Sequence, residues 1–359
     1  MAISKKNHLV GLDIGSHAIK IAEVEHGKSG RTLKNLGIVN INPEFLEDGA
    51  IKDTQAVADL IKKLLKKHRV REKRVAISVG GYSIIVKRIN VQTMTEEQLL
   101  ETIQYEAEQY IPFDINDVNL DFQILGENPN NKNQMSVLLV AAKKNHIEDY
   151  INLVESAGRQ ASIIDVDAFA LQNAFGASYL PEGDAAGEEA GEIVALIDIG
   201  AEKTSLNILK GATSLFMRDI SLGCGQMALQ IASQIDCSIQ EAEDIINGKL
   251  RSMISDEDFE NILSAFSSEW TTEVRRAFDF FYSSFGENDI SRIIMSGGGA
   301  NVGAIRSVLA AETEVPVEII NPFGNMAINH SKFDPAFLEQ IAPQAAIALG
   351  LALRRVDDK

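Results

Sequence analysis

Two short stretches of the sequence share a pattern of aspartate, isoleucine and glycine. They are Asp13-Ile14-Gly15-Ser16 and Asp198-Ile199-Gly200-Ala201. Each follows an apolar run, residues 9–12 or 193–197, and each leads into a second apolar stretch. This pattern is typical of a β-hairpin, whose turn uses glycine because glycine tolerates a positive φ. Successive backbone N–H groups in such a turn form a concave site for phosphate oxygens, so both stretches predict anion binding.

The side chains beside these turns suit a magnesium nucleotide. Asp13 and Asp198 each end a strand, where a carboxylate can hold the water shell of the Mg²⁺ that neutralises the β- and γ-phosphates. Ser16 can donate its hydroxyl to a phosphate, and Lys20 can reach one as a point charge. Two such hairpins would hold the phosphates from opposite sides. Either stretch alone is better explained as an ordinary hairpin turn, and it is the repetition that favours the nucleotide.

A third glycine cluster, Gly297-Gly298-Gly299, follows the apolar residues 293–295 and opens a helical pattern over residues 301–311. Glycines between a strand and a helix let the backbone approach a flat adenine closely, with a helix N-terminus nearby. A plain strand-to-helix loop explains the cluster equally well if it stands alone. Together with the two hairpins, it predicts a duplicated domain that binds one nucleotide.

Composition excludes several other classes of function. The chain has 359 residues and a net charge of −17, which argues against nucleic acid as a main partner. Its two cysteines, Cys224 and Cys237, are too few and wrongly spaced for a disulfide framework or a zinc site. No signal peptide is visible, and the apolar residues 341–353 are too few to span a bilayer. We therefore expect a cytoplasmic protein.

The elements that must position the first hairpin form a mixed sheet backed by helices. Strands are predicted at residues 9–12, 19–24, 36–41 and 75–79, with a helix at 54–67 and a strand at 84–91 beside the one at 75–79. Residues 93–160 then read as helix, hairpin and helix, which is enough for a small inserted α+β subdomain. The acidic, glycine- and alanine-rich residues 181–192 predict a linker.

The second half repeats the opening scheme. The strands around the second hairpin lead into helices at residues 225–234 and 239–247, and a long amphipathic helix at 269–285 precedes the glycine cluster. Together these elements resemble the actin-like ATPase superfamily over essentially the whole chain. The resemblance implies an α/β fold of two lobes, each a ribonuclease H-like domain. The first lobe would comprise residues 1–92, 161–180 and 335–359, and the second lobe residues 193–334.

The resemblance also implies roles for particular residues. The first phosphate motif would be residues 13–20, the second 198–205 and the adenosine motif 293–305, while residues 165–175 and 343–353 would form two connecting helices. The implied nucleotide-binding residues are Asp13, Gly15, Ser16, Lys20, Asp198, Gly200, Thr204, Glu273, Arg276, Gly298 and Gly299. Asp13 and Asp198 would hold Mg²⁺ through water and take part in catalysis with Asp167, which would orient the attacking water. Asp165 is a rival for that role, and a helix-capping role explains both residues equally well.

Within the superfamily, the subdomain at residues 93–160 is similar to that of the cell-division protein FtsA. The stretches 79–83, Val-Gly-Gly-Tyr-Ser, and 106–114, Glu-Ala-Glu-Gln-Tyr-Ile-Pro-Phe-Asp, are typical of the PilM family of type IV pilus assembly proteins. That resemblance implies an ATP-binding scaffold at the inner face of the inner membrane. It would bind the cytoplasmic N-terminal segment of a PilN-like membrane protein, near residues 82–88 and 106–114, and link it to the motor ATPases of the pilus. Self-association is left open.

The sequence departs from the superfamily pattern after the second turn, where Ala201, Glu202 and Lys203 stand in place of further glycines. Glu202 would repel a triphosphate unless its side chain turns outward, so we expect ATP binding with at most slow hydrolysis. Two alternatives follow from the same resemblance. One is an FtsA-like filament protein, and the other is an active ATPase or kinase.

Overall fold

The computed structural model describes residues 8–28, 30–128, 131–180, 191–285, 289–356 and 358. The first part of the chain forms β1 (Val10–Ile14), β2 (Ala18–Gly27), β3 (Gly30–Asn40), β4 (Leu46–Glu47), β5 (Ala50–Ile51), α1 (Thr54–Lys67) and β6 (Arg74–Val79). The next part forms β7 (Ile84–Gln92), α2 (Glu96–Glu108), β8 (Val118–Asn128), β9 (Asn131–Lys143), α3 (Lys144–Ser156), β10 (Gln160–Val166) and α4 (Asp167–Tyr179). The remainder forms β11 (Ile193–Ile199), β12 (Thr204–Lys210), β13 (Thr213–Ile220), α5 (Gly225–Ile235), α6 (Ile239–Ile246), α7 (Asp256–Phe285), β14 (Arg292–Ser296), α8 (Gly303–Thr313), β15 (Val317–Ile319), β16 (Met326–Ala327) and α9 (Pro335–Ala352).

The first lobe is built on a six-stranded sheet in the order β10-β6-β1-β2-β3-β16. β1 pairs antiparallel with β2 and parallel with β6, so the predicted mixed sheet is confirmed. Helices α1 and α3 bury their apolar faces with the side chains of β1 and β2 in one core. Helix α9 packs closely on β1, because a Cβ at Gly11 would overlap the carbonyl oxygen of Ala348.

The second lobe repeats this arrangement with a five-stranded sheet in the order β13-β12-β11-β14-β15. β11 pairs antiparallel with β12 and parallel with β14, as β1 pairs with β2 and β6. The registers match as well, since Asp13 lies opposite Lys20 and Asp198 lies opposite Ser205. The expected duplication of one α/β domain is therefore confirmed.

The two lobes meet through the connecting helices α4 and α9. They cross where a Cβ at Gly350 would overlap the carbonyl oxygen of Ala170, so only glycine permits this approach. Around the crossing, Ala346 of α9 shares a core with Ala76 of the first sheet and Leu196 of the second sheet. The small residues Ala346 and Gly350 of the last helix thus lie at the helix crossing.

The inserted subdomain has different boundaries from those predicted. β7 pairs with β9 in a three-stranded sheet of order β7-β9-β8, and not with β6 as expected. The buried side chains of β7, Ile89 and Val91, join a core with Leu99 of α2. In contrast, Leu153 of α3 lies in the core of the first lobe. The alternating pattern identified β7 as a strand but did not specify its partner.

The predicted linker lies almost entirely outside the described residues.

Two helices are longer than predicted. α7 begins at Asp256, and α9 begins at Pro335, where the side chain of Asp334 accepts a hydrogen bond from the N–H of Ala336. Pro343, predicted as the start of the last helix, lies inside α9. β16 pairs with β3, so the chain returns to the first sheet before α9 begins. Within the described ranges, no helix has the length and apolarity needed to cross a membrane.

Candidate functional site

The two predicted turns are tight, but positive φ angles do not explain their glycines. Gly15 donates its N–H to the carbonyl of Ala18 at 3.1 Å, and Gly200 donates to the carbonyl of Lys203 at 2.9 Å. Neither Gly15 nor Gly200 has a positive φ, so that part of the prediction is wrong. What the turns need is space, because a Cβ at Gly15 would lie 3.2 Å from the ammonium of Lys20.

Asp13 and Lys20 form an ion pair across the first hairpin. Lys20 Nζ lies 3.1 Å from Asp13 Oδ2, and both side chains are largely shielded from solvent. Burial raises the pKa of the Asp13 carboxyl, and the charge of Lys20 opposes that rise. The hairpin register makes this pair, since the two residues are directly opposed on β1 and β2.

Asp198 of the second lobe lies within the electrostatic field of the first lobe. The pKa of the Asp198 carboxyl is raised to about 6, chiefly by burial. The negative charges of Asp13 and Asp167 contribute to this rise, whereas Lys20 and the neighbouring Ser296 hydroxyl oppose it. The structure therefore brings Asp13, Lys20, Asp167 and Asp198 together between the lobes, although they come from different parts of the sequence. We call this group, with Lys203, the interlobe site.

Asp167 and Asp165 have different surroundings. Asp167 faces the interlobe site, where its Oδ2 lies 3.3 Å from Lys203 Nζ. Asp165 is buried and pairs with Arg354 at 2.9 Å, outside that group. No side-chain hydrogen bond caps the N-terminus of α4, so neither aspartate has the capping role that the sequence left open. Of the two rivals, only Asp167 lies in the interlobe site.

Lys203 connects the two lobes. Its ammonium lies 3.3 Å from Asp167 of the first lobe and 3.4 Å from Asp219 of the second. Burial lowers the pKa of Lys203, but these two carboxylates outweigh it, so the pKa is raised overall. Gly80 leaves room for this contact, because a Cβ there would overlap both the Asp167 carboxylate and the Lys203 ammonium.

The sequence predicts that Glu202 would repel a triphosphate unless its side chain turns outward. In the structure the side chain does not turn outward. Its Oε2 accepts a hydrogen bond from the backbone N–H of Asp48 in the first lobe, at 3.1 Å. The hydroxyl of Ser16 also hydrogen-bonds to the Glu202 side chain. Ser16 and Glu202 thus bridge the lobes beside the phosphate turns, and a phosphate would have to replace Glu202 as the partner of Ser16.

Thr204 does not join the interlobe site through its side chain. It is fully buried, and its hydroxyl donates to the carbonyl of Leu222 at 2.7 Å and accepts from Trp270 Nε1 at 2.9 Å. The alternation of side chains along β12 turns Thr204 into the core of the second lobe. The Thr204 hydroxyl therefore has both of its hydrogen-bond partners within the second lobe.

The glycine cluster lies against the second turn. Gly297 has a φ of +83°, and a Cβ at Gly299 would overlap the side chain of Ile199. Gly298 faces open space, with no atom within 4 Å of a Cβ placed there. The cluster is also tied to the last helix, since the Gly297 N–H and the Ser296 hydroxyl each donate to the carbonyl of Pro343 at 2.9 Å. The strand-to-helix turn is thus open on the side where a flat ring could lie.

Glu243 of α6 lies beside the first of the two turns, a position that the sequence does not predict. Its Oε1 lies 3.0 Å from Nδ1 of His17 in the first phosphate turn. The pKa of the Cys224 thiol is raised to about 12, chiefly by burial and in part by the charges of Glu243 and Asp198. Because Cys224 also lies next to Gly299, these contacts place Glu243 between the two turns and the glycine cluster. No local sequence pattern separates Glu243 from the other acidic residues of α6.

Glu273 and Arg276 are placed differently from this group. They form an ion pair with each other on α7. Arg276 lines a cavity of about 400 Å³ between α7 and α8, together with Arg275 and Glu312. Of the two predicted ribose- and base-binding residues, Arg276 therefore lies at the cavity between α7 and α8, and Glu273 is paired with it. It associates Glu243 with the glycine cluster.

Similar structures define the class to which this fold belongs. The chain is 29% identical to a chain described as the PilM-PilN type IV pilus biogenesis complex, with a TM-score of 0.86 over 98% of this chain and 100% of that chain. It is 12% identical to the ethanolamine utilization protein EutJ from Carboxydothermus hydrogenoformans, with a TM-score of 0.57 over 99% and 92% of the two chains. It is 15% identical to MreB 5 of Spiroplasma citri bound to AMPPNP, with a TM-score of 0.51 over 97% and 95%.

The two-lobed duplication and these likenesses show that the protein has the actin-like ATPase fold, as expected from the sequence. A family model described as type IV pilus assembly protein PilM matches residues 11–356. The chain therefore belongs to the PilM family of type IV pilus assembly proteins.

Proposed function

We propose that this protein binds Mg-ATP at the interlobe site and acts as a cytoplasmic scaffold of a type IV pilus machine. One observation carries the nucleotide part of the proposal. The same hairpin occurs once in each lobe, and the aspartates of the two hairpins, Asp13 and Asp198, are close enough for the charge of one to shift the pKa of the other. A triphosphate between the turns would meet a lysine and two carboxylates arranged for a shared cation.

The residues of the interlobe site suit a hydrated magnesium ion. Within the described part of the chain, no group of three or more His, Cys, Asp or Glu side chains could hold a metal ion. Mg²⁺ would therefore take most of its ligands from phosphate oxygens and water, as this ion usually does. Asp13 and Asp198 would accept hydrogen bonds from that water. Lys20 would move from Asp13 to a phosphate, since the phosphate supplies the negative charge that the carboxylate supplies now.

Calorimetry with Mg-ATP tests the nucleotide site. Lys20→Ala and Asp198→Ala should each weaken ATP binding by at least about tenfold, which corresponds to about 1.4 kcal/mol. Lys63→Ala is the matched control, because Lys63 lies on the exposed face of α1 in the same lobe as Lys20. Equal ATP affinity in Asp198→Ala and the parent protein would reject this site.

The proposed membrane partner is the cytoplasmic N-terminal segment of a PilN-like inner-membrane protein. The similar chain of known structure, which matches this chain over nearly its whole length, is described as a PilM-PilN complex. Binding of such a segment would hold the protein at the inner face of the inner membrane, from where it could contact the motor ATPases. The scaffold role therefore depends on a peptide-binding surface.

The two stretches proposed for that surface do meet in space. The ammonium of Lys87 on β7 lies over the ring of Tyr110 at 5.1 Å, and Lys143 lies over the ring of Phe113 at 4.3 Å. Both rings are partly exposed, and Tyr105 on α2 is 74% exposed. Aromatic rings beside cations can bind a peptide that carries both apolar and acidic side chains.

The same region also contacts the second lobe. The hydroxyl of Tyr82 hydrogen-bonds to the hydroxyl of Ser221, which lies just beyond β13. A nucleotide that changes the angle between the lobes would alter this contact, and with it the position of β7. ATP would thereby change the population of the form that binds the peptide.

Fluorescence anisotropy with a labelled N-terminal peptide of the PilN-like partner tests the scaffold role. We expect Tyr110→Ala to weaken peptide binding by about tenfold or more. Phe280→Ala is the control, since Phe280 is an aromatic residue that is 55% exposed on α7 of the second lobe. If both variants bind the peptide as tightly as the parent, the surface lies elsewhere. If the parent does not bind at all, the scaffold proposal fails.

A further inference from the structure

A large cavity lies between the two lobes at the ends of the hairpins opposite to the interlobe site. β2 runs from its turn at Ala18 to Gly27, and β12 runs from Thr204 to Lys210, so the far ends of both hairpins point the same way. The cavity has a volume of about 720 Å³ and lies between the β2–β3 turn, the β12–β13 turn, α4 and the chain after α9. We call it the rear cavity. Its volume is within the usual range for small-molecule sites.

The charge of the rear cavity is opposite to that of the protein. The whole chain has a net charge of −17. The described lining nevertheless includes Lys28, Arg31, Arg354 and Arg355, with Asp358 as its acidic residue. Four cations facing one carboxylate make this lining a local positive region on an acidic protein, which attracts anions.

Two of these cations have no protein counter-ion in the described chain. Arg354 pairs with Asp165 at 2.9 Å, and Arg31 donates to the carbonyl of Ala177 at 3.0 Å. In contrast, Lys28 and Arg355 are exposed, and no ion pair within the described ranges involves either side chain. Their positive charges are therefore available to a ligand.

Two buried polar atoms in the lining also lack a partner. They are His26 Nε2 and Asn173 Nδ2, neither of which makes a hydrogen bond. A buried amide N–H without an acceptor is unfavourable, so such a group is normally satisfied by protein, water or ligand. Burial and the charges of Arg355 and Arg31 lower the pKa of His26. An anion in the cavity would supply both the acceptors and the negative charge that this region lacks.

We propose that the rear cavity binds a small organic anion carrying two or more phosphate groups. Phosphate oxygens would accept from Lys28 and Arg355, while His26 and Asn173 would bind from the buried side. Several cations and amide donors around one volume favour phosphate over a single carboxylate, because each phosphate group accepts several charge-assisted hydrogen bonds. This site is separate from the interlobe site and does not depend on the nucleotide proposal.

The position of the rear cavity couples it to the movement of the lobes. Its lining includes the β2–β3 turn of the first lobe and residues 209–212 of the second lobe. An anion that contacts both turns has a different affinity for each relative position of the lobes. If a nucleotide binds at the interlobe site as proposed above, occupancy of the rear cavity would change its affinity, and the nucleotide would change the affinity for the anion by the same factor.

Histidine NMR of the full chain with pyrophosphate as the probe tests the proposal. His26 lies in the rear cavity and His17 lies beside the first phosphate turn, so their ring signals report the two sites separately. Pyrophosphate without Mg²⁺ should shift the His26 signal and raise the pKa of His26. The signal can be assigned with His26→Gln.

Two double variants with equal loss of charge make the result specific. Lys28→Ala/Arg355→Ala should weaken the pyrophosphate effect on His26 by at least about tenfold. Lys63→Ala/Lys66→Ala, on the exposed face of α1, should leave it unchanged. An unshifted His26 signal at about 10 mM pyrophosphate would overturn the proposal. Equal weakening by both double variants would also overturn it, because the effect would then come from overall charge.

Discussion

The ammonium of Lys203 in the second lobe lies 3.3 Å from the carboxylate of Asp167 in the first lobe. Lys203 follows the second turn, whereas Asp167 begins α4 and is the residue that the family resemblance implies for orienting the attacking water. An ion-paired carboxylate is a weaker hydrogen-bond acceptor for water, because its charge is already compensated. If Asp167 orients the attacking water, this ion pair with Lys203 would slow hydrolysis.

We predict that Lys203→Met increases ATP turnover at saturating ATP. The two side chains are 31% and 24% exposed, so the ion pair contributes about 1 kcal/mol, which corresponds to about a fivefold change in rate. The double variant Lys203→Met/Asp167→Asn should return to the parent rate or below it. Lys210→Met, at the other end of β12, serves as the control. Turnover in Lys203→Met at or below the parent value would contradict this role.

A second prediction concerns Asp198 in the nucleotide-free protein. Its pKa rises from 3.8 to about 6 on folding, so the folded state binds more protons between these two values. Its contribution to the free energy of unfolding therefore falls as the pH rises through this window. Asp198→Asn has no carboxyl group to ionise at this position, so its free energy of unfolding does not fall for this reason. Thermal melting should show the variant a few degrees more stable than the parent at about pH 8, and no more stable at about pH 4.

For the binding of Mg-ATP, the ionised form of Asp198 should be favourable, whereas it is unfavourable for stability without nucleotide. Magnesium and its water shell require the ionised form of Asp198, so ATP affinity in the parent should increase as the pH rises through about 6. Calorimetric titrations on both sides of that pH measure the change. Asp198→Asn should show weak binding with little pH dependence over the same interval. A pH-independent affinity in the parent protein would exclude Asp198 from the metal site.

A third prediction distinguishes the two candidate helices for the adenosine end. Glu243 of α6 pairs with His17 beside the first phosphate turn, whereas Glu273 pairs with Arg276 on α7. We expect Glu243→Ala to weaken ADP binding by about tenfold and Glu273→Ala to leave it nearly unchanged, as measured by calorimetry. If Glu273→Ala weakens ADP binding more than Glu243→Ala does, the adenosine end binds at the α7 residues predicted from the sequence.

A fourth prediction concerns the crossing of the connecting helices. Gly350→Ala would force a methyl group into the carbonyl oxygen of Ala170, and neither backbone can move without separating the lobes. We expect a loss of at least about 3 kcal/mol in the free energy of unfolding. Gly303→Ala, at the start of α8, meets no atom within 4 Å and should be neutral or slightly stabilising. Urea denaturation of both variants measures the difference, and equal stabilities would show that the crossing can adjust.

Elements with a strong local signal could be predicted from the sequence. Helix α1 has the predicted bounds of residues 54–67, because its apolar spacing is regular and Asp53 caps its N-terminus. Both phosphate hairpins were recognisable because an apolar run, a glycine turn and a second apolar run repeat in the same order. Because these segments follow one another in the same order in both halves of the chain, the duplication of the domain could be predicted.

Features set by contacts between distant segments could not be predicted. The pairing of β7 with β9 rather than β6 depends on how the insert closes its own core. The contact between Glu243 and His17 exists only after both lobes have folded against each other. Likewise, Lys203 contacts Asp167 and Thr204 contacts Trp270, and both of these partners are distant in the sequence.

The packing of α9 on β1 has a consequence for synthesis of the chain. The first lobe contains β1 to β3, yet β16 and α9, which complete it, are synthesised only after the strands of the second lobe. Until then, the surface around Gly11 lacks the helix that packs against it in the folded protein. The first lobe thus cannot fold to completion before the second has been made. Nascent chains of this protein should therefore depend on chaperones for longer than chains whose first domain closes early.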